Sequence, residues 1–167
     1  MSQSFQKITS KIQDWKTAQT TVSQWQKADH KVVFTNGCFD LLHYGHIRYL
    51  AEAADLGDKL VVALNAPVSI QRLKGVHRPI KDRESRLHLM ASLAYVDLVV
   101  EFAEDTPLAL IKTIMPDILV KGGDWSIDEI VGSDVVLKNG GAVQSLRFVE
   151  GYSTTNIEQK IIRLHQA

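Results

Sequence analysis

Residues 32–50, VVFTNGCFDLLHYGHIRYL, constrain the fold of this chain more than any other stretch. Lys31–Thr35 is β-branched and aromatic, which reads as a strand. Asn36-Gly37 interrupts it, and a helical pattern opens near Gly45. A strand, a short turn and a helix in succession begin a parallel α/β unit. The turn also carries chemistry. His43-Tyr44-Gly45-His46 puts two imidazoles at a helix N-terminus, where unpaired N–H groups and the helix dipole already favour a phosphate. Gly45 is expected to let a phosphate approach the backbone. His43 and His46 are expected to donate hydrogen bonds to phosphoryl oxygens, or to charge beside an anion. With 6 His and 10 Gly in 167 residues, chance would supply an HxGH box roughly 0.01 times.

Two blander readings compete with the phosphate site: a helix-capping histidine and a zinc centre. Zinc takes three or four Cys, His or carboxylate ligands, and His77 and His88 lie too loosely along the chain to complete a set. Cys38 is the single cysteine, so an internal disulfide and a cysteine-rich metal centre are excluded. Its place in the turn raises a nucleophile reading. The 19 acidic and 19 basic residues cancel, leaving no global basic footprint for nucleic acid or an anionic membrane. Phosphate affinity has to be local. The N-terminal MSQSFQKITSKIQDWK has no apolar signal core, and no apolar run is long enough to span a bilayer. The expected location is cytoplasmic, with no membrane and no nucleic-acid partner.

At 45% hydrophobic and 23% charged, the 167 residues can bury one good core. Ile8, Ile12, Trp15, Val22 and Trp25 predict one or two helices over 5–27, so residues 1–30 are read as an N-terminal helical appendage on a domain spanning 31–167. KLVVALN at 59–65 is a wholly buried strand type. Pro67–Pro79 reads as a Gly/Pro/basic loop, 82–94 as a helix, and DLVVEF at 97–102 as a third strand. Pro107–Met115 is a helix with Thr106 as its N-cap. DILVK at 117–121, AVQSLRF at 142–148 and a helix over Thr154–Leu164 complete the pattern. This succession predicts an α/β fold, a Rossmann-like open parallel sheet of about five strands with helices on both faces.

Ligands of such sheets bind beyond the carboxyl ends of the strands, and every unusual motif falls there. Arg72, Lys74 and Arg78 share a loop with Gly75 and Pro79, and are expected to close over a polyphosphate as a lid, mobile until an anion neutralises them. Lys121-Gly122-Gly123-Asp124 follows a buried strand; a lysine there calls for an anion, and the glycines admit a flat base or a phosphate. Trp125 would stack on ribose or base, or pack in the core. Ser153-Thr154-Thr155 precedes the last helix as N-caps or phosphate ligands.

GCFDLLHYGH resembles the nucleotidyltransferase superfamily that carries HxGH after a GxFD turn. RLKGVHRPI at 72–80, DILVKGGDW at 117–125 and EGYSTTNI at 150–157 are similar to bacterial heptose 1-phosphate adenylyltransferases, in the same order from about Lys31 to Leu164. The resemblance implies transfer of AMP from ATP to a sugar 1-phosphate, D-glycero-β-D-manno-heptose 1-phosphate, giving ADP-heptose and pyrophosphate. Mg²⁺ would enter with ATP. It implies His43, His46, Lys74 and Lys121 as catalytic residues. Thr35, Asn36, Gly37, Phe39, Asp40 and Gly45 would bind nucleotide from the first turn, and Asn65 and Arg78 from the second. Gly122, Gly123 and Asp124 would do so from the fourth strand, and Ser153, Thr154 and Thr155 from the last helix. Asp40 would orient a histidine or help place Mg²⁺. Transfer in this superfamily is direct, which speaks against a catalytic Cys38. A sugar kinase is often fused to this activity; 167 residues leave no room for one, so a separate kinase is expected. The expected assembly is a homodimer. The alternative is a cytidylyltransferase acting on glycerol 3-phosphate or a similar alcohol phosphate. Those relatives typically read RTEGISTT, with arginine where this chain has Phe148.

Overall fold

Apolar residues that alternate in two directions need cover on both faces of a sheet, and the computed structural model, which describes residues 2–166, provides it. The chain opens with α1 (Gln3–Ser10), the two-residue strand β1 (Ile12–Gln13) and α2 (Trp15–Lys27). β2 (Val32–Gly37), α3 (Tyr44–Ala54), β3 (Lys59–Asn65), α4 (Pro67–Lys74), α5 (Arg83–Ala91) and β4 (Leu98–Phe102) follow. The second half is α6 (Leu108–Ile114), β5 (Ile118–Gly122), α7 (Ser133–Lys138), β6 (Ala142–Leu146) and α8 (Thr154–His165). All six strands are parallel, in the order β1-β4-β3-β2-β5-β6.

Along β2, Val32 and Phe34 enter one core while Val33 enters the other; along β3, Val61 and Ala63 oppose Leu60, Val62 and Leu64. The first core is closed by residues of α2 and α6, the second by residues of α3 and α5. Chain order reverses at β2, which has β3 on one side and β5 on the other. A crevice opens at such a switch point, beyond the strand ends.

Three expectations need correction. The sheet has a sixth strand because residues 1–30 are not purely helical: Ile12 and Gln13 pair with Val99 and Val100 at the sheet edge. Ala18 and Val22 of α2 are wholly buried in the first core. A two-residue strand in a polar stretch has no period to announce it. The basic loop expected over 67–79 is helical through Lys74, with Pro67 at its first position, where a missing N–H costs nothing. Only Ser69 and Ile70 of that helix are buried, so its sequence reads as polar. Thr106 is not the cap of α6; Pro107 occupies that position without a side-chain cap.

Candidate active site

A cleft of about 380 Å³ lies at the switch point, floored by the ends of β2 and β5 and walled by α4 and the start of α8. Asn36, Gly37, Phe39 and Asp40 reach it from the turn after β2, with His46 behind them on α3. Asn65 and Lys74 line it from the β3–α4 side, Lys121 and Gly122 from β5, and Thr154 from α8.

The turn after β2 is built so that its side chains fold back on the histidines. A Cβ at Gly37 would stand 2.9 Å from the Phe39 ring. Phe39 itself has φ +43°, a left-handed conformation costly for a bulky residue. Its ring meets His46 edge-on at 5.3 Å. His43 and His46 stack with ring centroids 3.8 Å apart and planes 26° from parallel. A Cβ at Gly45 would lie 3.1 Å from the His43 ring and 3.2 Å from Cβ of Tyr152. A side chain at Gly45 would thus press on His43 and Tyr152, a constraint that stands beside the phosphate approach expected from sequence. The same holds at β5. Gly122 makes room for Phe148, and Gly123, with φ +122°, for the Trp125 indole, at 2.7 Å from an added Cβ in each case.

Electrostatically the cleft is primed for an anion. Burial, then the neighbouring His43 and Lys74, push His46 down to about 4, and burial lowers His43 as well. Both imidazoles leave a buried Nδ1 without a protein partner. Burial also lowers Lys121, and among the described residues neither it nor Lys74 has an ion pair. A polyphosphate entering here would meet cations and imidazoles that no protein carboxylate has neutralised.

Other candidates stand apart from the cleft surface. Thr35 is wholly buried, its hydroxyl hydrogen-bonded to that of Tyr49. Arg78 is held by Asp40 at 3.2 Å and by Glu158 of α8, and Arg72 donates to Asp105 at 2.7 Å and to the carbonyl of Ala103. Of the three cations expected over the cleft, Lys74 alone lines it. Asp124 is exposed and faces Arg147 at 3.6 Å. Ser153 caps α8, accepting from the amide of Asn156, and Thr155 lies outside the cleft lining. Asp40 contacts neither histidine by hydrogen bond. Its oxygens accept from the amides of Ile80 (2.8 Å) and Lys81 (2.9 Å) and from Arg78. Burial works against its charge, but those donors outweigh it and hold its pKa below the usual carboxylate range.

Sequence reasoning missed Arg86. It is 2% exposed, and its guanidinium donates to the carbonyls of Cys38 (2.6 Å) and Asn65 (2.6 Å), tying together the turns after β2 and β3. Its signal was an arginine four residues before Met90, on the apolar face of its helix. For a metal, no group of three or more His, Cys, Asp or Glu gathers around one point among the described residues. A divalent cation accompanying a nucleotide would be held here chiefly by phosphate and water oxygens.

The family model for cytidylyltransferase-like proteins matches residues 34–160, a span that contains every motif of the cleft. The chain is 50% identical over 153 residues to the bifunctional protein HldE of Citrifermentans bemidjiense, covering 92% of this chain and 31% of the relative. It is 54% identical over 141 residues to HldE of Geobacter sulfurreducens, covering 84% and 29%. The chain thus spans about a third of the length of these curated relatives. Among solved structures, a lipopolysaccharide core biosynthesis protein of Thermoplasma volcanium superposes with a TM-score of 0.59 at 35% identity, covering 74% of this chain and 99% of that one. A pantoate-beta-alanine ligase from Francisella tularensis, at 15% identity and a TM-score of 0.58, covering 93% and 79%, shares the fold. With the model matching from β2 into α8 around an intact HxGH turn, this chain belongs to the cytidylyltransferase-like family of nucleotidyltransferases.

Proposed function

We propose that this protein is a sugar 1-phosphate adenylyltransferase, joining D-glycero-β-D-manno-heptose 1-phosphate to the AMP of ATP and releasing pyrophosphate. The observation that carries the reading is His46, stacked on His43 behind it, lining one cleft with Lys74, Lys121 and Thr154 at the α8 N-terminus. An oxygen of the sugar phosphate attacks the α-phosphorus in line. The bond from that phosphorus to the bridging oxygen breaks, and pyrophosphate leaves with the electron pair. The attacking phosphate is already ionised, so positioning and charge neutralisation suffice and no general base is required. His46, backed by His43, stabilises the charge gathering between the α- and β-phosphates. Lys74 and Lys121 neutralise the polyphosphate and the attacking phosphate, and Thr154 with the free amides of α8 holds phosphate oxygens. Mg²⁺ arriving with ATP would be held chiefly by phosphate and water oxygens and would supply charge neutralisation there.

The heptose acceptor is supported by the similarity to HldE and to the lipopolysaccharide core biosynthesis protein. The alternative, CTP with glycerol 3-phosphate, would want an arginine where Phe148 lies against Gly122. Pyrophosphate release measured across four nucleoside triphosphates, each with a panel of sugar 1-phosphates and glycerol 3-phosphate, decides between them. ATP with the heptose 1-phosphate should give the fastest release; preference for CTP with glycerol 3-phosphate would overturn the proposal. We also read residues 31–167 as the catalytic unit, the working form as a homodimer and the location as the cytoplasm. No helix of the described residues is long and apolar enough to cross a membrane.

A further inference from the structure

A second cavity of about 190 Å³ opens off the main cleft, sharing Asn36 and Lys121 with it. Its own walls are aliphatic at Leu119 and Ile130, with the Trp125 indole and Glu129 completing it. We propose that this side cavity seats the sugar of the sugar 1-phosphate, with the phosphate at Lys121 and the ring between Trp125 and Glu129. The assignment rests on the adenylyl-transfer reading above and deepens it.

The distribution of charge separates the two ligands. His46, Lys74 and Thr154 line the main cleft and not the side cavity, so the triphosphate belongs in the main cleft. Lys121 is the one cation on both walls. A ligand with a single phosphate and an uncharged body matches a cavity with a single ammonium at its mouth.

The walls suit a polyhydroxyl ring. The Trp125 indole N–H donates to the carbonyl of Gly122 at 3.1 Å, and the residue, about half exposed, has its ring left to offer a ligand an apolar surface. That surface suits the C–H side of a pyranose. One carboxylate oxygen of Glu129 accepts from the amide of Ser126 at 3.3 Å; the other has no protein donor among the described residues and can accept from sugar hydroxyls. The main cleft keeps its own aromatic surface for a base, Phe148, which is 63% exposed and lies over Gly122. Gly122 and Gly123 thus separate two aromatic faces, one for each substrate, and Lys121 marks where the two must meet.

The test is steady-state kinetics of pyrophosphate release by wild type, Trp125→Ala, Trp125→Phe and Glu129→Gln, with KM measured separately for ATP and for the sugar 1-phosphate. Both side chains are exposed at the cavity mouth, and circular dichroism checks that the variants fold. Trp125→Ala and Glu129→Gln should each raise KM for the sugar 1-phosphate about 10- to 200-fold, the range for losing one matched contact. KM for ATP should stay near wild type, and Trp125→Phe should recover part of the loss. A rise in KM for ATP with that for the sugar phosphate unchanged would put the base in the side cavity and overturn the assignment, as would folded variants with both constants unchanged. A wild-type protein that released no pyrophosphate with any sugar 1-phosphate would instead overturn the transfer reading itself.

Discussion

Two charged regions face each other across the first turn, and they are solved in opposite ways. Around Asp40 every charge is answered: Arg78 lies between the carboxylates of Asp40 and Glu158, and two backbone amides complete the Asp40 shell. Around the histidines less is answered. Among the described residues two buried Nδ1 atoms lack partners, and Lys74 and Lys121 form no ion pair with a carboxylate. Buried polar groups without partners are costly; under the adenylyl-transfer reading proposed above the two imidazole nitrogens await a phosphate, whereas Oε1 of Glu101 and of Glu158, buried without a hydrogen-bond partner among the described residues, lie outside the cleft lining. The paired cluster does structural work, tying residues 78–81 and α8 to the turn that presents His46.

The comparison breaks first at the histidines. His46→Ala, and more weakly His43→Ala, should lower turnover about 100- to 1000-fold, the usual loss for one oriented charge-stabilising donor. ATP affinity should change far less. Thermal unfolding should hold steady or improve, because each change removes an unpartnered buried nitrogen. Near-normal turnover in a folded His46→Ala protein would mean that the unpaired groups are not there for phosphate.

Arg78→Ala tests the other side. Removing it leaves Asp40 its two amides but strands Glu158, which should cost about 1–3 kcal/mol in urea unfolding, the range for a lost charged partner. Turnover of the folded fraction should fall less than tenfold by that logic. The resemblance gives Arg78 a different part, that of a nucleotide ligand. If turnover collapsed with stability intact, the two ion pairs would be a resting arrangement that ATP displaces, and Arg78 would join the unpaired set.

How much of this contrast could be read from sequence depends on range. The HxGH box, KLVVALN and the lysines at the ends of α4 and β5 are local patterns, and they lie at the turn, in the strand β3 and on the cleft wall. Pairing is not local. Arg72, Lys74 and Arg78 look alike in one basic stretch, and the carboxylates that claim two of them are Asp105, Asp40 and Glu158, between 33 and 80 residues away. Arg86 was hidden for the same reason, because its acceptors are backbone carbonyls on two other turns. The glycines carry contacts that sequence does not announce: Gly37, Gly45, Gly122 and Gly123 stand against Phe39, His43, Phe148 and Trp125, beside the space for a ligand expected at Gly45, Gly122 and Gly123.

Titration sharpens the comparison with a smaller effect. The His46 pKa lies near 4 in the folded protein against an ordinary 6.5. Between those values the unfolded chain binds a proton that the folded chain refuses, so stability is fully present above pH 6.5 and is lost as pH falls toward 4. The slope from this one group is at most about 1.4 kcal/mol per pH unit. Asp40, depressed below 3.8, gives up its contribution only at still lower pH. Urea midpoints between pH 7.5 and 4.5 should show wild type losing stability relative to His46→Gln as the pH falls. Bound triphosphate should reverse the sign at the imidazole, favouring its charged form, so ATP binding near pH 6 should take up a proton. Calorimetry in two buffers of different ionisation enthalpy measures that uptake; a value of zero would detach His46 from the phosphates.

The smallest effect is expected at Cys38, although it lies on the cleft wall between the two regions. What the fold takes from this position is its backbone carbonyl, which accepts from Arg86, and every substitution keeps that. The thiol makes one long contact, 3.9 Å to the side-chain oxygen of Asn65, too weak to hold the turn. In a single displacement it has no chemical step to perform. Cys38→Ala and Cys38→Ser should therefore retain most of the wild-type turnover, with Ser the closer match to the Asn65 contact. The stereochemical course gives an independent check. An ATP analogue chiral at the α-phosphorus should yield product of inverted configuration, as one in-line attack requires. Retention would mean two displacements through a nucleotidyl-enzyme, and with loss of activity in Cys38→Ala it would make the thiol the nucleophile.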